Sequence, residues 1–208
     1  MEHKITVVGI GPGSPEYLLP VAKKVLDAAK VLVGSGRALK AFAPPGCQTK
    51  IIDKDIAGVL AFIRERLAET DVVVMVSGDP GFYSMLTALR NEYLPEIITV
   101  IPGISAIQLA FARLALPWQE AQLVSLHGRE LGGADVGYYS GRKLAFLTDG
   151  QHDPGYIARM LVKTGWPAAA KTILCSNLSY DDEKIVRLTL GEAADSTGFT
   201  NCIMVVMA

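Results

Sequence analysis

The residues of this chain whose types and spacing could do chemistry sit in four glycine-bearing turns. They are "GIGPGS" after "ITVV", "SGDPGFYS" after "DVVVMV", "PGISA" after "IITVI", and "LTDG" after "RKLAF". Each turn follows an apolar, β-branched run that reads as a strand. In open parallel sheets, ligands bind beyond the carboxyl ends of the strands, and glycine there lets the backbone approach a ligand closely. Asp79 is a lone carboxylate in the second turn. A short acceptor at that place either takes an amino group or ribose hydroxyls, or caps the next helix; position alone favours the cap. No Walker A lysine, HExxH helix or GxSxG elbow is present. Three cysteines, Cys47, Cys175 and Cys202, are widely spaced, which excludes a disulfide framework and a CxxC zinc site. No metal site is expected.

The first turn invites a dinucleotide. That reading needs GxGxxG followed, about 20 residues on, by an acid at the end of the next strand. Gly9 and Gly11 fit, but the third position is Ser14, with Gly13 one place early. Pro12 removes a backbone donor inside the turn. The second strand ends "VLVGSGR", with glycine and serine where the acid belongs. A nicotinamide oxidoreductase is therefore disfavoured on two independent counts. The turn alone is weak evidence for any ligand.

The elements that position these turns alternate in type. "KITVVGI", "KVLVGS", "TKIID", "DVVVMV" and "IITVI" read as strands. "DIAGVLAFIRERLAE" is a helix with Ile56, Val59, Leu60, Ile63 and Leu67 at helical spacing. Ser14 reads as an N-cap, with Pro15 first in a helix running through "YLLPVAKKVLDAAK", kinked at Pro20. Continuous apolar strands separated by helices predict a parallel sheet covered on both faces. After "SAIQLAFARLAL" the pattern changes. "AQLVSLHG", "RKLAFLTDG", "AKTILCSNLS", "EKIVRLTL" and "NCIMVVMA" are five further strands, and "DPGYIARMLVKTG" is the clear helix among them. This half predicts a mixed sheet. "LGGADVGYYSGR" reads as a loop or a poor helix. The expected division is an N-terminal α/β domain over residues 1–116 and a C-terminal α/β domain over 117–208, with the boundary near Leu116–Trp118. Trp118 and Trp166 each adjoin a proline and read as hinge or core packing.

Composition narrows the class. The 208 residues are half hydrophobic, with 20 basic and 21 acidic side chains and a formal net charge of −1. A substantial core is possible, and nothing favours a polyanionic partner such as nucleic acid. The apolar runs are too short to span a bilayer, and "MEHKITVVGIG" carries no leader-like segment. A cytoplasmic protein is expected.

Taken together, "VVGIGPGSPEYL", "VVVMVSGDPGFYSM", "ITVIPGISAIQLAFARLALPW" and "LAFLTDG" resemble the tetrapyrrole methylase family along essentially the whole chain. The resemblance implies a class III methyltransferase of two α/β domains, using S-adenosylmethionine bound in the cleft between them. "SLHGRE", "LAFLTDG" and "ILCSNLSYDDEKIVRLTLGE" are similar to the branch that methylates C5 of the corrin precursor (cobalt-)precorrin-7 in cobalamin biosynthesis. The aerobic, precorrin-6Y C5,15-methyltransferase version carries a second, decarboxylating domain. This chain resembles the stand-alone, cobalt-dependent version, so C15 methylation and decarboxylation are not expected of it. A separate C15-methyltransferase would then be a functional partner, and a homodimer is implied.

The resemblance also implies site residues. Gly78, Asp79, Tyr83, Ser105, Ala106, Leu147, Thr148, Asn177 and Leu178 should line the cofactor pocket, and Thr200 should touch adenine. Gly11, Pro12 and Gly13 should lie beside the macrocycle. Ser105 also reads as the N-cap of the helix that follows, and cap and contact are compatible. The substrate bears several carboxylates, which arginine pairs with bidentately. Arg37 in "GSGRAL" and Arg129 in "LHGRE" are assigned to it from polar turns after strands. His127 beside Arg129 either bonds a carboxylate, approaches cobalt, tunes a proton, or is purely structural. His3 and His152 read as surface residues, and Cys175 as a buried small hydrophobe. Methyl transfer is an in-line displacement that needs no nucleophilic side chain, so no catalytic residue is expected. Relatives act on uroporphyrinogen, diphthine intermediates or rRNA ribose. The near-neutral charge speaks against rRNA, and a scaffold that had lost catalysis should have lost "GDPG" or "PGISA".

Overall fold

The computed structural model of the chain describes residues 3–126 and 136–208. Its backbone contacts form two compact units, residues 1–105 and 106–208.

The first unit is a parallel sheet in the order β3-β2-β4-β1-β5. Its strands are β1 (Ile5–Gly9), β2 (Val31–Gly34), β3 (Gln48–Ile51), β4 (Val72–Val76) and β5 (Ile98–Ile101). All five residues of β4 are buried, because both faces of the sheet are covered. Val72, Val74 and Val76 pack with Val59 and Ile63 of α3 (Ile56–Arg66) and Leu89 of α4 (Leu86–Glu92). Val73 and Met75 face the other way. They meet Ala22 and Leu26 of α1 (Pro20–Asp27) and Ala38 and Leu39 of α2 (Gly36–Phe42). Alternate residues of a strand serve opposite layers, so this strand is apolar throughout. Each fully buried valine or leucine contributes about 1.5–3 kcal/mol relative to exposure.

Three details differ from the sequence reading. The chain after the first turn makes a single 3-10 turn over Pro15–Tyr17, capped by Ser14, and then breaks. Pro20 does not kink a long helix but begins α1, with Leu19 extended before it. Proline lacks the donor that a helix interior needs and forces its predecessor out of the helical region, so it fits the first helical position instead. Arg37 does not lie in an open turn but in the first turn of α2. The cap is Ser35, whose hydroxyl accepts from the Ala38 amide at 3.2 Å.

The second unit is a mixed sheet in the order β6-β7-β10-β8-β9. The strands are β6 (Ala121–Ser125), β7 (Lys143–Leu147), β8 (Lys171–Ser176), β9 (Lys184–Thr189) and β10 (Cys202–Met207). β6 and β7 are parallel, and the other pairs are antiparallel. One face packs Leu144, Phe146, Leu174, Met204 and Val206 on Ile157 and Leu161 of α6 (Pro154–Lys163) and Leu190 and Ala193 of α7 (Leu190–Ala194). Trp166 is buried in this core and donates its indole N–H to the Val136 carbonyl at 2.6 Å, while Trp118 is exposed. Helix α5 (Ala106–Leu114) belongs to this unit, with neighbours in β7 and β10. The division therefore falls at Ser105–Ala106, ahead of α5, where the sequence placed it after that helix.

Candidate active site

Three of the glycine turns meet at the carboxyl ends of β4, β1 and β5, which are neighbours in the first sheet. Beyond β1 and β4 the chain continues the pairing through a bridge between Gly11 and Gly78. The Gly78 amide donates to the Gly11 carbonyl at 2.8 Å, and the Gly11 amide returns to the Gly78 carbonyl at 3.4 Å. Both glycines have positive φ, 78° and 68°, a region open to glycine at little cost. The turn after β5 closes from the other side. A Cβ on Gly9 would stand 2.6 Å from the Gly103 nitrogen, and one on Gly103 would stand 2.3 Å from the Gly78 carbonyl oxygen. Main chain meets main chain here, and no side chain fits at either place.

Asp79 ties the turns together. One carboxylate oxygen accepts from the Gly81 amide at 2.8 Å. The other accepts from the Gly103 amide at 3.1 Å, across 24 residues of sequence. Asp79 is not the cap of the following helix: α4 begins seven residues later, and its N-cap Met85 makes no side-chain bond. Its carboxylate is instead spent on the two loops. Tyr83 lies in the same turn with φ 50° and an exposed ring set edge-on to Phe82 at 4.7 Å. A non-glycine residue at such a φ is uncommon. Ser105, two residues after Gly103, is buried, and Ala106 opens α5.

A second cluster lies within the other unit, where β7 and β8 end and β10, antiparallel to both, begins. Leu147 ends β7. The amide and hydroxyl of Thr148 both donate to the Cys202 carbonyl, at 3.2 and 2.9 Å. Asn177 follows β8 with φ 49°, and its amide donates to the Asn201 carbonyl at 3.3 Å. Its side chain donates to Asp182 at 2.7 Å and accepts from Asn201 at 3.3 Å. The Ser176 hydroxyl donates to the Thr200 carbonyl at 2.9 Å. Leu178 is buried and Thr200 exposed. Ser179 and Asn201 also have positive φ, 74° and 44°. Strained non-glycine backbone of this kind persists where surrounding bonds over-determine it, and it concentrates at functional sites.

Glu183 braces the Asn177 loop. It accepts from the Ser179 amide at 2.7 Å and from the guanidinium of Arg113 on α5 at 2.7 and 3.3 Å. The bond from Arg113 holds the Glu183 carboxyl below its ordinary range, with the Ser179 amide adding to it against the effect of burial.

Five predicted residues, Leu147, Thr148, Asn177, Leu178 and Thr200, thus share one neighbourhood of the second unit. Gly11, Pro12, Gly13, Gly78, Asp79 and Tyr83 lie on the converging turns of the first, and Ser105 follows the third of these turns. Arg37 is exposed in the first turn of α2. His127 and Arg129 lie outside the described residues. His152 is not a surface residue. Its side chain is only 14 % exposed, Nδ1 lies 3.1 and 3.2 Å from the Asp149 carboxylate, and the ring meets Tyr156 edge-on at 5.1 Å. Asp149 also accepts from the Gln151 and His152 amides, so the "DGQH" loop folds back on itself. Sequence reasoning missed this pair, as it missed Gly103, Asn201 and the Arg113–Glu183 brace. The first had a local signal in the Asp-x-x-His spacing; the others join residues far apart in the chain.

Neither buried thiol of the second unit is a nucleophile. Burial pushes the Cys175 and Cys202 thiols up to about 12, so both stay protonated and inert. A dinucleotide is also poorly served. The pyrophosphate of such a ligand sits on the free amides of a helix N-terminus. Here the first turn leads only to one 3-10 turn, where the Ser14 hydroxyl already takes the Glu16 amide at 3.3 Å.

Residues 4–194 match the family described as Tetrapyrrole (Corrin/Porphyrin) Methylases. The chain belongs to this family. Among its relatives is the cobalt-precorrin-7 C(5)-methyltransferase of Salmonella typhimurium strain LT2, 34% identical over 181 residues, covering 87% of this chain and 88% of that protein. A probable cobalt-precorrin-7 C(5)-methyltransferase of Methanocaldococcus jannaschii is 32% identical over 206 residues, covering 96% of each chain. The crystal structure of a cobalamin biosynthesis precorrin-6Y methylase from Archaeoglobus fulgidus superimposes with a TM-score of 0.72 at 25% identity, over 98% of this chain and 97% of that one.

Proposed function

We propose that the protein transfers a methyl group from S-adenosylmethionine to C5 of cobalt-precorrin-7 in cobalamin biosynthesis. Family membership and the two relatives that carry this activity in their names over nearly their whole lengths support the reading. The structural observation that carries it is the contact of Gly9, Gly78 and Gly103, bare backbone at the carboxyl ends of three adjacent strands. A flat, bulky macrocycle and a cofactor without phosphate suit a surface of this kind, and a dinucleotide does not.

The residues fit the cofactor. Gly78, Asp79, Tyr83, Ser105 and Ala106, with Leu147, Thr148, Asn177, Leu178 and Thr200, are assigned to it. The glycine cradle admits main-chain approach to an adenosine or an amino acid moiety. Bound there, S-adenosylmethionine supplies an electrophilic methyl group. The chain's own task is then alignment: holding methyl and carbon in line at roughly 3–3.5 Å supplies much of the rate without a side-chain nucleophile. Gly11, Pro12 and Gly13 are assigned to the macrocycle face, and Arg37, His127 and Arg129 to its carboxylates. The active species is read as a cytoplasmic homodimer working alongside a separate decarboxylating C15-methyltransferase. The alternative is another member of the family acting at a different precorrin position or on a non-tetrapyrrole substrate.

Calorimetry with S-adenosylhomocysteine and with NAD tests the cofactor. Micromolar binding of S-adenosylhomocysteine and none of NAD is expected. The reverse pattern would end the methyltransferase reading.

A further inference from the structure

We propose that Asp79 is a positioning residue that serves the cofactor by fixing the Gly103 peptide. This rests on the reading that the turns after β4 and β5 hold S-adenosylmethionine. Two features assign the role. Both carboxylate oxygens are already taken by main-chain amides, that of Gly81 at 2.8 Å within its own turn and that of Gly103 at 3.1 Å on the neighbouring one. The Gly103 peptide is also pressed against two others, since a Cβ there would stand 2.3 Å from the Gly78 carbonyl oxygen and 2.8 Å from the Gly9 carbonyl atoms.

A Cα–H of Gly103 points at the Gly78 carbonyl oxygen, which is a weak attraction only, and that oxygen already accepts from the Gly11 amide at 3.4 Å. Close approach of this kind needs an attractive bond to hold it, and the described hydrogen bond that draws Gly103 in is the one to Asp79. A carboxylate is suited to the task because it offers acceptors on both oxygens and no donor. The same group that bends the "GDPG" turn through Gly81 therefore sets the height of "PGIS" above it. Ser105 is two residues further on, so the placement of its peptide follows from that of Gly103. An asparagine of the same shape has a single acceptor oxygen and would turn an NH2 group toward one of the two amides.

The test is amide hydrogen exchange followed by NMR on the full chain, with Asp79→Asn and Asp79→Ala, and calorimetry with S-adenosylhomocysteine on the same samples. In the wild type the Gly103 and Gly81 amides exchange slowly. In both variants at least one of the two exchanges tenfold faster or more, while amides of β1 and β4 are unchanged. The dissociation constant for S-adenosylhomocysteine rises about tenfold, and KM for the corrinoid changes less than twofold. The isosteric Asp79→Asn carries the test should Asp79→Ala not fold. Unchanged exchange at both glycines would overturn the clamp. Faster exchange with unchanged cofactor affinity would overturn its role in positioning. A wild type that fails to bind S-adenosylhomocysteine, yet shows the exchange difference, would instead refute the cofactor reading and leave the clamp standing.

Discussion

Replacing Gly103 by alanine should damage cofactor binding through sterics alone. No positive φ is involved at this position, so backbone strain of the left-handed kind does not enter. The new methyl would meet the Gly78 oxygen at 2.3 Å and the Gly9 carbonyl carbon and oxygen at 2.8 Å. None of these atoms is the tip of a flexible side chain. Gly9 ends β1 in register with Val76 of β4, and Gly78 is bridged to Gly11. The turn after β5 must therefore retreat, which stretches the 3.1 Å bond to Asp79. Overpacking a tight contact costs about 1–3 kcal/mol, and a lost hydrogen bond adds about 1 kcal/mol. Stability in urea should fall by about 2–4 kcal/mol, and affinity for S-adenosylhomocysteine by about tenfold or more, at about 1.4 kcal/mol per decade. Gly36→Ala is the control. A Cβ there meets only the Ile51 side chain at 4.0 Å, at the first position of α2, and its stability should be unchanged or slightly raised. Urea denaturation and calorimetry on both variants decide the matter. Wild-type stability and affinity in Gly103→Ala would refute the close three-glycine contact.

Three further outcomes follow from the second unit. Glu183, whose carboxyl the Arg113 guanidinium holds below the ordinary carboxylate range, binds fewer protons folded than unfolded. Its contribution is full above the ordinary carboxylate range and is lost as pH falls through the lower folded value. Glu183→Gln should therefore flatten the acid limb of the urea midpoint against pH, at a neutral-pH cost of about 1 kcal/mol or less because the pair is partly solvated; an unchanged acid limb would contradict the brace. Cys175 and Cys202, pushed up to about 12 by burial, should resist a thiol reagent in the native protein at pH 8, leaving Cys47 as the reacting group. Three fast equivalents would contradict the packing of β8 and β10. Thr189 and Glu192 form a reciprocal capping box at the start of α7, so Thr189→Ala should cost about 1 kcal/mol in urea; a neutral result would show that packing alone holds that helix.

Much of the architecture was legible because strands announce themselves. β4 is five consecutive apolar residues bounded by Asp71 and Ser77, and both faces of its sheet are indeed covered. The strand-rich second half gave a mixed sheet as its pattern implied. The short helices were harder. α2 and α7 have only seven and five residues, too few for a periodic signal, although Ser35 and the Thr189–Glu192 spacing were cap signatures. The side that α5 joins could not be read, because an apolar face at helical spacing does not say which sheet it covers. Asp79 illustrates the same limit at the site. Its place beside a turn was evident, but its partner Gly103 lies 24 residues away, and only the adjacency of β1, β4 and β5 brings the two together. The positive φ of Asn177 and Asn201 likewise answers to bonds between loops that sequence spacing does not reveal.

The most direct test of the account is incubation of the protein with cobalt-precorrin-7 and S-adenosylmethionine labelled with carbon-13 in its methyl group, followed by NMR of the isolated corrinoid. The account predicts one new labelled methyl, bonded to C5, with the carboxyl groups retained. Label at any other carbon, or recovery of unlabelled substrate from protein that binds S-adenosylhomocysteine, would contradict it.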